Sequence, residues 1–482
     1  MPSSPSLQSP PPTNPPSKNT AFDRYFEISA RGSNIGRELR GGLATFFTMA
    51  YILVLNPIIL AGATDKYGEH LSAVQLVTST ALIAAIMTIL MGVVGRLPVA
   101  LAAGLGINAL VAYQIAPRMA WADAMGLVVI SGIVLCALVA GGVRKAVMDA
   151  IPMQLKQAIA VGIGLFLAFI GFVDAGFVTR IGDVANTTVP VQLGATGQLS
   201  GWPILVFCLG VLLTFALMLR KVKGAILISI IGMTAVAVVI EALAPGQKWG
   251  LTTPAFPDSA VAAPDFGLLG DFSITGAFGE VTALTVVLLV FTLLLSDFFD
   301  TMGTVVAVSG EAGLLDEKGQ VPRIGRVLMV DAVASAAGGA SSSSSATSYI
   351  ESAAGVGEGA RTGLASVVTG ALFAVALFFT PVLTIVPMQA AAPALVVVGF
   401  LLMTQVRLID WSDLTVAIPA FLTIAVMPFT YSITNGIGAG FVSYVVLSLV
   451  AGRARKIHWL LWVVSALFAV YFLSEPIERL VF

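Results

Sequence analysis

Three carboxylates stand in sequence that is otherwise apolar. Asp297 and Asp300 lie in S-D-F-F-D-T-M-G-T (Ser296 to Thr304), and Glu351 lies in A-S-S-S-S-S-A-T-S-Y-I-E-S-A-A-G (Ala340 to Gly355). An ionisable group at membrane depth is costly and marks a functional site by default. Asp297 and Asp300 are spaced i and i+3, so a helix puts both on one face, about one turn apart. Two carboxylates that close in a low dielectric do not both ionise readily, and one of them can carry a proton near neutral pH. Asp300 is the favoured buried member, being nearer Gly303 and Thr304, whose small side chains leave room for a partner. Glu351 follows a polar run at the start of a short helix, where Ser348, other hydroxyls and free backbone N–H groups line a pocket. A carboxylate there can accept N–H donors from a flat heterocycle. The competing view makes Ser341 to Ser345 a linker and Glu351 a cap. The apolar stretches Ala332 to Gly339 and Arg361 to Phe379 on either side argue against it.

A second polar position answers Glu351. L-P-V-A-L-A-A-G-L-G-I-N-A-L-V-A-Y (Leu97 to Tyr113) carries Pro98, Gly104 and Gly106 in its first half and then Asn108. Alone, Asn108 reads equally as an interhelical packing residue. G-L-G-I-N is not a phosphate loop, since no soluble strand, Lys or acidic ribose partner accompanies it. D-T-M-G-T has the outline of an aspartyl-phosphate loop, but no Lys follows and no soluble domain is present to hold a nucleotide. The aromatics Phe46, Phe47 and Tyr51 read as packing residues.

These residues need a membrane scaffold to position them. The 482 residues are 57% hydrophobic and 11% charged, too little polar surface for a soluble globule of this length. A net charge of -1 gives no footprint for nucleic acid. Cys136 and Cys208 sit singly in apolar runs, and His70 and His458 lie outside them, so neither a metal site nor any other cofactor is expected.

Fourteen apolar stretches near the roughly 20 residues of a bilayer crossing follow a Pro- and Ser-rich tail. They begin near residues 41, 74, 97, 121, 154, 202, 224, 281, 325, 341, 362, 383, 415 and 435. Arg24, Arg31, Arg37 and Arg40 place the N-terminus in the cytoplasm, and the later basic loops fall on the same side. Residues 458–476 form either a further span or an interfacial helix with Trp459 and Trp462 at the headgroups. The third and tenth stretches are both Gly-interrupted and occupy position three of two sets of seven. An odd count per set makes the repeats inverted, and paired broken helices point to a binding site near the midplane.

At several of these places the chain resembles the AzgA-like purine permeases of the nucleobase-ascorbate transporter (nucleobase:cation symporter 2) superfamily. The stretches are G-G-L-A-T-F-F-T-M-A-Y-I-L-V-L-N-P (Gly41 to Pro57), G-L-G-I-N-A (Gly104 to Ala109), D-F-F-D-T-M-G-T (Asp297 to Thr304), G-L-L-D-E-K-G (Gly313 to Gly319), T-S-Y-I-E-S-A-A-G (Thr347 to Gly355) and M-P-F-T-Y-S-I (Met427 to Ile433). The resemblance implies an all-α polytopic protein of fourteen segments in a seven-plus-seven inverted repeat. It implies a core domain (36–150 and 276–381) and a gate domain (151–275 and 382–457) that can pair two copies; the composition adds a disordered cytoplasmic tail (1–35) before them and the C-terminal 458–482 after. The implied activity is proton-coupled uptake of adenine, guanine or hypoxanthine across the plasma membrane by an elevator motion, with no enzymatic step. The substrate-binding Glu carries over to Glu351, the third-helix Asn to Asn108, and the eighth-helix acid to Asp300 or Asp297, with Ser348, Gly106 and Thr304 around them. The Ser341 to Ser345 run departs from the Gly-Thr-Ser type usual in relatives and bears on fine specificity. The alternative is an anion carrier of the same plan, which wants positive charge where this chain has acids.

Overall fold

Two short strands separated by more than half the chain hold the architecture together. Of four three-residue strands among the described residues, β1 (Leu101–Ala103), β2 (Val178–Arg180), β3 (Val191–Leu193) and β4 (Ala346–Ser348), the middle two pair antiparallel with each other and β1 pairs antiparallel with β4. The register sets Leu101 opposite Ser348 and Ala103 opposite Ala346. Buried backbone must be paired, and the ladder is extended at both ends by Gly104 N–H to Ser345 O and Tyr349 N–H to Ala100 O, each 2.9 Å. On its other edge Leu101 bonds Thr88 Oγ1 through both N and O at 2.9 Å, so one threonine hydroxyl stands in for a third strand.

The rest is helical. The computed structural model describes residues 20–142, 151–180, 191–249, 253–257, 259–316 and 320–481. In chain order the helices are α1 (Ala21–Phe26), α2 (Ile35–Met49), α3 (Ile52–Gly62), α4 (Ala73–Leu90), α5 (Leu105–Leu110), α6 (Trp121–Ala140), α7 (Met153–Asp174), α8 (Trp202–Leu219) and α9 (Ala225–Leu243). There follow α10 (Ala283–Glu311), α11 (Ile324–Ala340), α12 (Ser352–Gly357), α13 (Gly363–Ala376), α14 (Met388–Met403), α15 (Leu414–Phe429), α16 (Ile433–Val450) and α17 (Trp459–Val481). Among the described residues ten helical stretches are long and apolar enough to cross a bilayer. The four remaining segments of the expected fourteen are the third (β1 with α5), the ninth (α11), the tenth (β4 with α12) and the thirteenth (α15), whose helices are shorter than those ten.

The densest packing falls within two sets. One joins α2, α3, α4, α6 and α10 to α13 around the β1–β4 pair; the other joins α7, α8, α9 and α14 to α17. Small residues close the tightest contacts, as in membrane helix pairs generally. A Cβ on Gly164 of α7 would fall 2.7 Å from Gly399 O of α14, so a bulkier residue there would push the two helices apart.

One expectation changes. Residues 20–34, assigned above to the tail, are folded: α1 and its following turn bury Phe26 and Ile28 against Leu364, because Phe22, Tyr25 and Phe26 give this polar stretch an apolar face. The tail before residue 20, the basic pair Arg144 and Lys145, and Lys318 lie outside the described residues. The 458–476 stretch is helix α17, packed on α16 and α10 with Leu461, Val464 and Phe468 buried and Phe468 against Phe291.

Candidate functional site

The acids of α10 meet the hydroxyls of β4. Asp297 and Asp300 are one helical turn apart, and Ser345 and Thr347 are two residues apart along an extended strand, so both pairs share a face. Ser345 Oγ donates to Asp297 Oδ2 at 3.0 Å and lies 2.8 Å from Ser335 Oγ of α11. Thr347 Oγ1 donates to Asp300 Oδ2 at 3.2 Å. The strand's opposite face serves a further acid, with Ser348 Oγ donating to Asp331 Oδ1 at 3.0 Å.

The division between the two aspartates reverses the sequence expectation. Asp297 is 1% exposed, whereas Asp300 is accessible, on the same open face of α10 as Gly303. The reason is the packing around each: Ser345 before β4 and Ser335 of α11 gather at Asp297, while Asp300 takes Thr347 on one side and is left open beside Gly303 on the other. Thr304 is buried a further turn along α10, outside this set of acids and hydroxyls.

The five-serine run is a tight turn, not a linker. Ser341 to Ser345 are all 2% exposed or less, and Ser342 and Ser344 adopt left-handed backbone (φ 55° and 66°) to reverse the chain from α11 into β4. Asn56 of α3 reaches across to it, donating from Nδ2 to Thr80 Oγ1 at 2.7 Å and to Ser343 O at 3.1 Å. The turn returns so close to α11 that a Cβ on Gly338 would sit 2.1 Å from Ser344 O, which only glycine accommodates.

After β4, Ile350 and Glu351 lead into α12 on the accessible side, Ile350 exposed and Glu351 half-buried. Tyr51, at the junction of α2 and α3, donates its hydroxyl to Glu351 Oε1 at 2.5 Å. Tyr349 turns the other way and donates to Ala103 O at the end of β1. On the β1 side, Gly104 leads into α5, Gly106 packs where a Cβ would meet Ile163 of α7 at 2.9 Å, and Asn108 is enclosed one turn further on. Neither Oδ1 nor Nδ2 of Asn108 has a hydrogen-bond partner.

Thus the β1–β4 pair brings Glu351, Asp297, Asp300 and Ser348 into one neighbourhood and starts α5, with Gly106 and Asn108, at its other end. Two of its polar residues were absent from the sequence expectation. Asp331 lies in V-L-M-V-D-A-V-A-S, an acid in an apolar run, and the argument that singled out Asp297 applies to it equally. Tyr51 gave a weaker signal: a phenol at membrane depth needs a partner for its hydroxyl.

Comparisons with known proteins agree with this architecture. The Permease family (Xan_ur_permease) matches residues 36–439. The guanine/hypoxanthine permease PbuG of Bacillus subtilis is 38% identical over 454 residues, 93% of this chain and 99% of its own length. The adenine permease AdeQ of Escherichia coli is 34% identical over 451 residues, 93% of this chain and 95% of its own. Among solved structures, the transmembrane domain of a cyanobacterial bicarbonate transporter, BicA, superposes with a TM-score of 0.60 at 14% identity, over 84% of this chain and 97% of that one. SLC26A9 gives 0.60 at 12% identity, over 92% and 73%. These two likenesses establish the shared inverted-repeat fold. With the family match spanning most of the chain and the relatives aligned nearly end to end, the protein belongs to the Permease family, within the nucleobase-ascorbate transporter superfamily, and is a transporter rather than an enzyme.

Proposed function

We propose that this permease carries a purine base, adenine, guanine or hypoxanthine, into the cell together with a proton. The observation that carries the reading is Asn108, whose enclosed carboxamide has both its donor and its acceptor unpaired. An unpaired buried amide is costly, and a base edge offers the matching acceptor and donor side by side. Glu351 supplies a second acceptor for ring or exocyclic N–H groups. Asp300, on the open face of α10, is the group for the coupling proton, and Ser348, Gly106 and Thr304 shape the surroundings. The printed activities of the relatives, guanine/hypoxanthine and adenine transport, support the purine assignment.

In this reading residues 36–150 and 276–381 are a core domain that carries the substrate, and 151–275 and 382–457 a gate domain against which it slides. The two packing sets described above support that division. The basic residues Arg24, Arg31, Arg37 and Arg40 support a cytoplasmic N-terminus in the plasma membrane. An anion carrier is disfavoured, because the side chains gathered at the β1–β4 pair include Asp297, Asp300, Asp331 and Glu351, and negative charge repels an anion.

The test is hypoxanthine accumulation in proteoliposomes under an inward proton gradient. Glu351→Gln and Asp300→Asn each abolish it; undiminished uptake by both variants would overturn the proposal.

A further inference from the structure

The acid at the heart of the proposed site is held from the first membrane helix. That helix is broken: α2 ends at Met49, Ala50 and Tyr51 form a turn, and α3 begins at Ile52. At the turn the bonds tighten to i→i+3, Leu53 N–H to Ala50 O and Val54 N–H to Tyr51 O, both 3.1 Å. Pro57, with no N–H to give Leu53 O, removes a bond from the next turn.

Ahead of the break, Gly41, Thr45, Thr48 and Tyr51 fall at helical spacing on one face, and that face carries α12. A Cβ on Gly41 would fall 2.5 Å from Ala360 Cβ and 2.8 Å from Gly355 O, and a Cβ on Gly355 would fall 2.3 Å from Thr45 Oγ1. Such close contact leaves α12 no room to shift against α2. Thr48 Oγ1 reaches Glu351 O at 3.3 Å, and at the end of the stripe the Tyr51 hydroxyl takes Glu351 Oε1 at 2.5 Å. The backbone and the side chain of Glu351 are therefore gripped by the same face of one helix. A free glutamate side chain samples many rotamers, and ordering it on binding weakens affinity. Tyr51 is 1% exposed, its ring locked in packing, so its hydroxyl is a fixed point.

We propose that Tyr51 is a positioning residue for substrate recognition: its hydroxyl, presented from the break in the first helix, holds the Glu351 carboxylate in its base-reading orientation. This rests on Glu351 being the substrate carboxylate. Tyr51 itself need not touch the base.

The test measures equilibrium binding of radiolabelled adenine, guanine and hypoxanthine to the purified full chain, with uptake kinetics in proteoliposomes. Tyr51→Phe keeps the ring and removes only the hydroxyl. Ordering one rotamer-rich side chain on binding corresponds to about twofold to tenfold in affinity. Tyr51→Phe is expected to raise Kd and KM several-fold, up to about tenfold, while Vmax stays within about twofold and the protein stays folded. In a Glu351→Gln background it weakens the residual binding no further. Unchanged Kd in Tyr51→Phe, alongside weakened binding in Glu351→Gln, overturns the role of Tyr51 and leaves the function standing. Unchanged binding in Glu351→Gln, or a wild-type chain that binds none of the three bases, overturns both. A Tyr51→Phe protein that loses Vmax in step with a sharply lowered melting temperature marks a packing role and overturns the proposal too.

Discussion

Thr301 on α10 stands 2.7 Å from both carboxylate oxygens of Asp331 on α11, and Ser348 of β4 donates to the same carboxylate. One buried acid thereby ties two membrane helices to the strand from which the proposed substrate acid follows. Asp331→Asn keeps the volume but turns one acceptor oxygen into an NH2 group facing hydroxyls. With an unsatisfied buried hydrogen-bonding group costing about 1–3 kcal/mol, the variant should lose on the order of 2 kcal/mol of stability. Thermal unfolding in detergent measures this, and a melting temperature equal to that of wild type would show that Asp331 does not hold β4.

The left-handed serine gives a second prediction. Ser344, at φ 66°, pays no penalty as glycine but clashes when β-branched. Ser344→Gly should unfold within about 1 kcal/mol of wild type, whereas Ser344→Val should lose about 1–2 kcal/mol or more from left-handed strain. Because Ser345 follows directly and bonds Asp297, the valine variant should also transport more slowly. Equal stability of the two variants would contradict the turn geometry.

Acid pH should loosen the N-terminal segment. Glu27, between α1 and α2, bonds Arg323 and Arg31 and lies 3.6 Å from Arg96. The Arg323 bond first, then Arg31, holds its carboxyl at about 2, below the ordinary 4.5. A lowered folded value means that the stabilisation is complete above about pH 4.5 and fades as the pH drops toward 2. Each partly exposed pair is worth about 1 kcal/mol at most. Glu27→Gln should therefore melt a few degrees below wild type at neutral pH. That gap should narrow below about pH 4.5; a constant gap down to pH 3 would argue against the ion-pair cluster.

What was readable in advance follows from what membrane depth forbids. Asp297, Asp300 and Glu351 stood out because charge in apolar sequence demands a reason, and Pro98 and Gly104 in the third segment and the serine run Ser341 to Ser345 in the tenth betrayed the two interrupted segments, whereas Gly338 and Gly339 lie inside helix α11. Asp331 was equally visible in type but had no neighbouring acid at helical spacing to draw attention to it. Tyr51 was hidden among aromatics, since nothing local says which phenol has an acceptor some 300 residues away.

The sequence by itself therefore determined the membrane class, the inverted pairing of the third and tenth segments, and the acids proposed for the site, because these depend on composition, spacing and local helix chemistry. The tertiary structure decided the rest. It enclosed Asp297 and left Asp300 open, folded the serine run into a turn, and delivered Asp331 and Tyr51 to the site. Those outcomes depend on which distant backbone reaches a side chain. That is settled by the β1–β4 ladder and the close glycine contacts of α2 with α12, interactions that no stretch of sequence contains on its own.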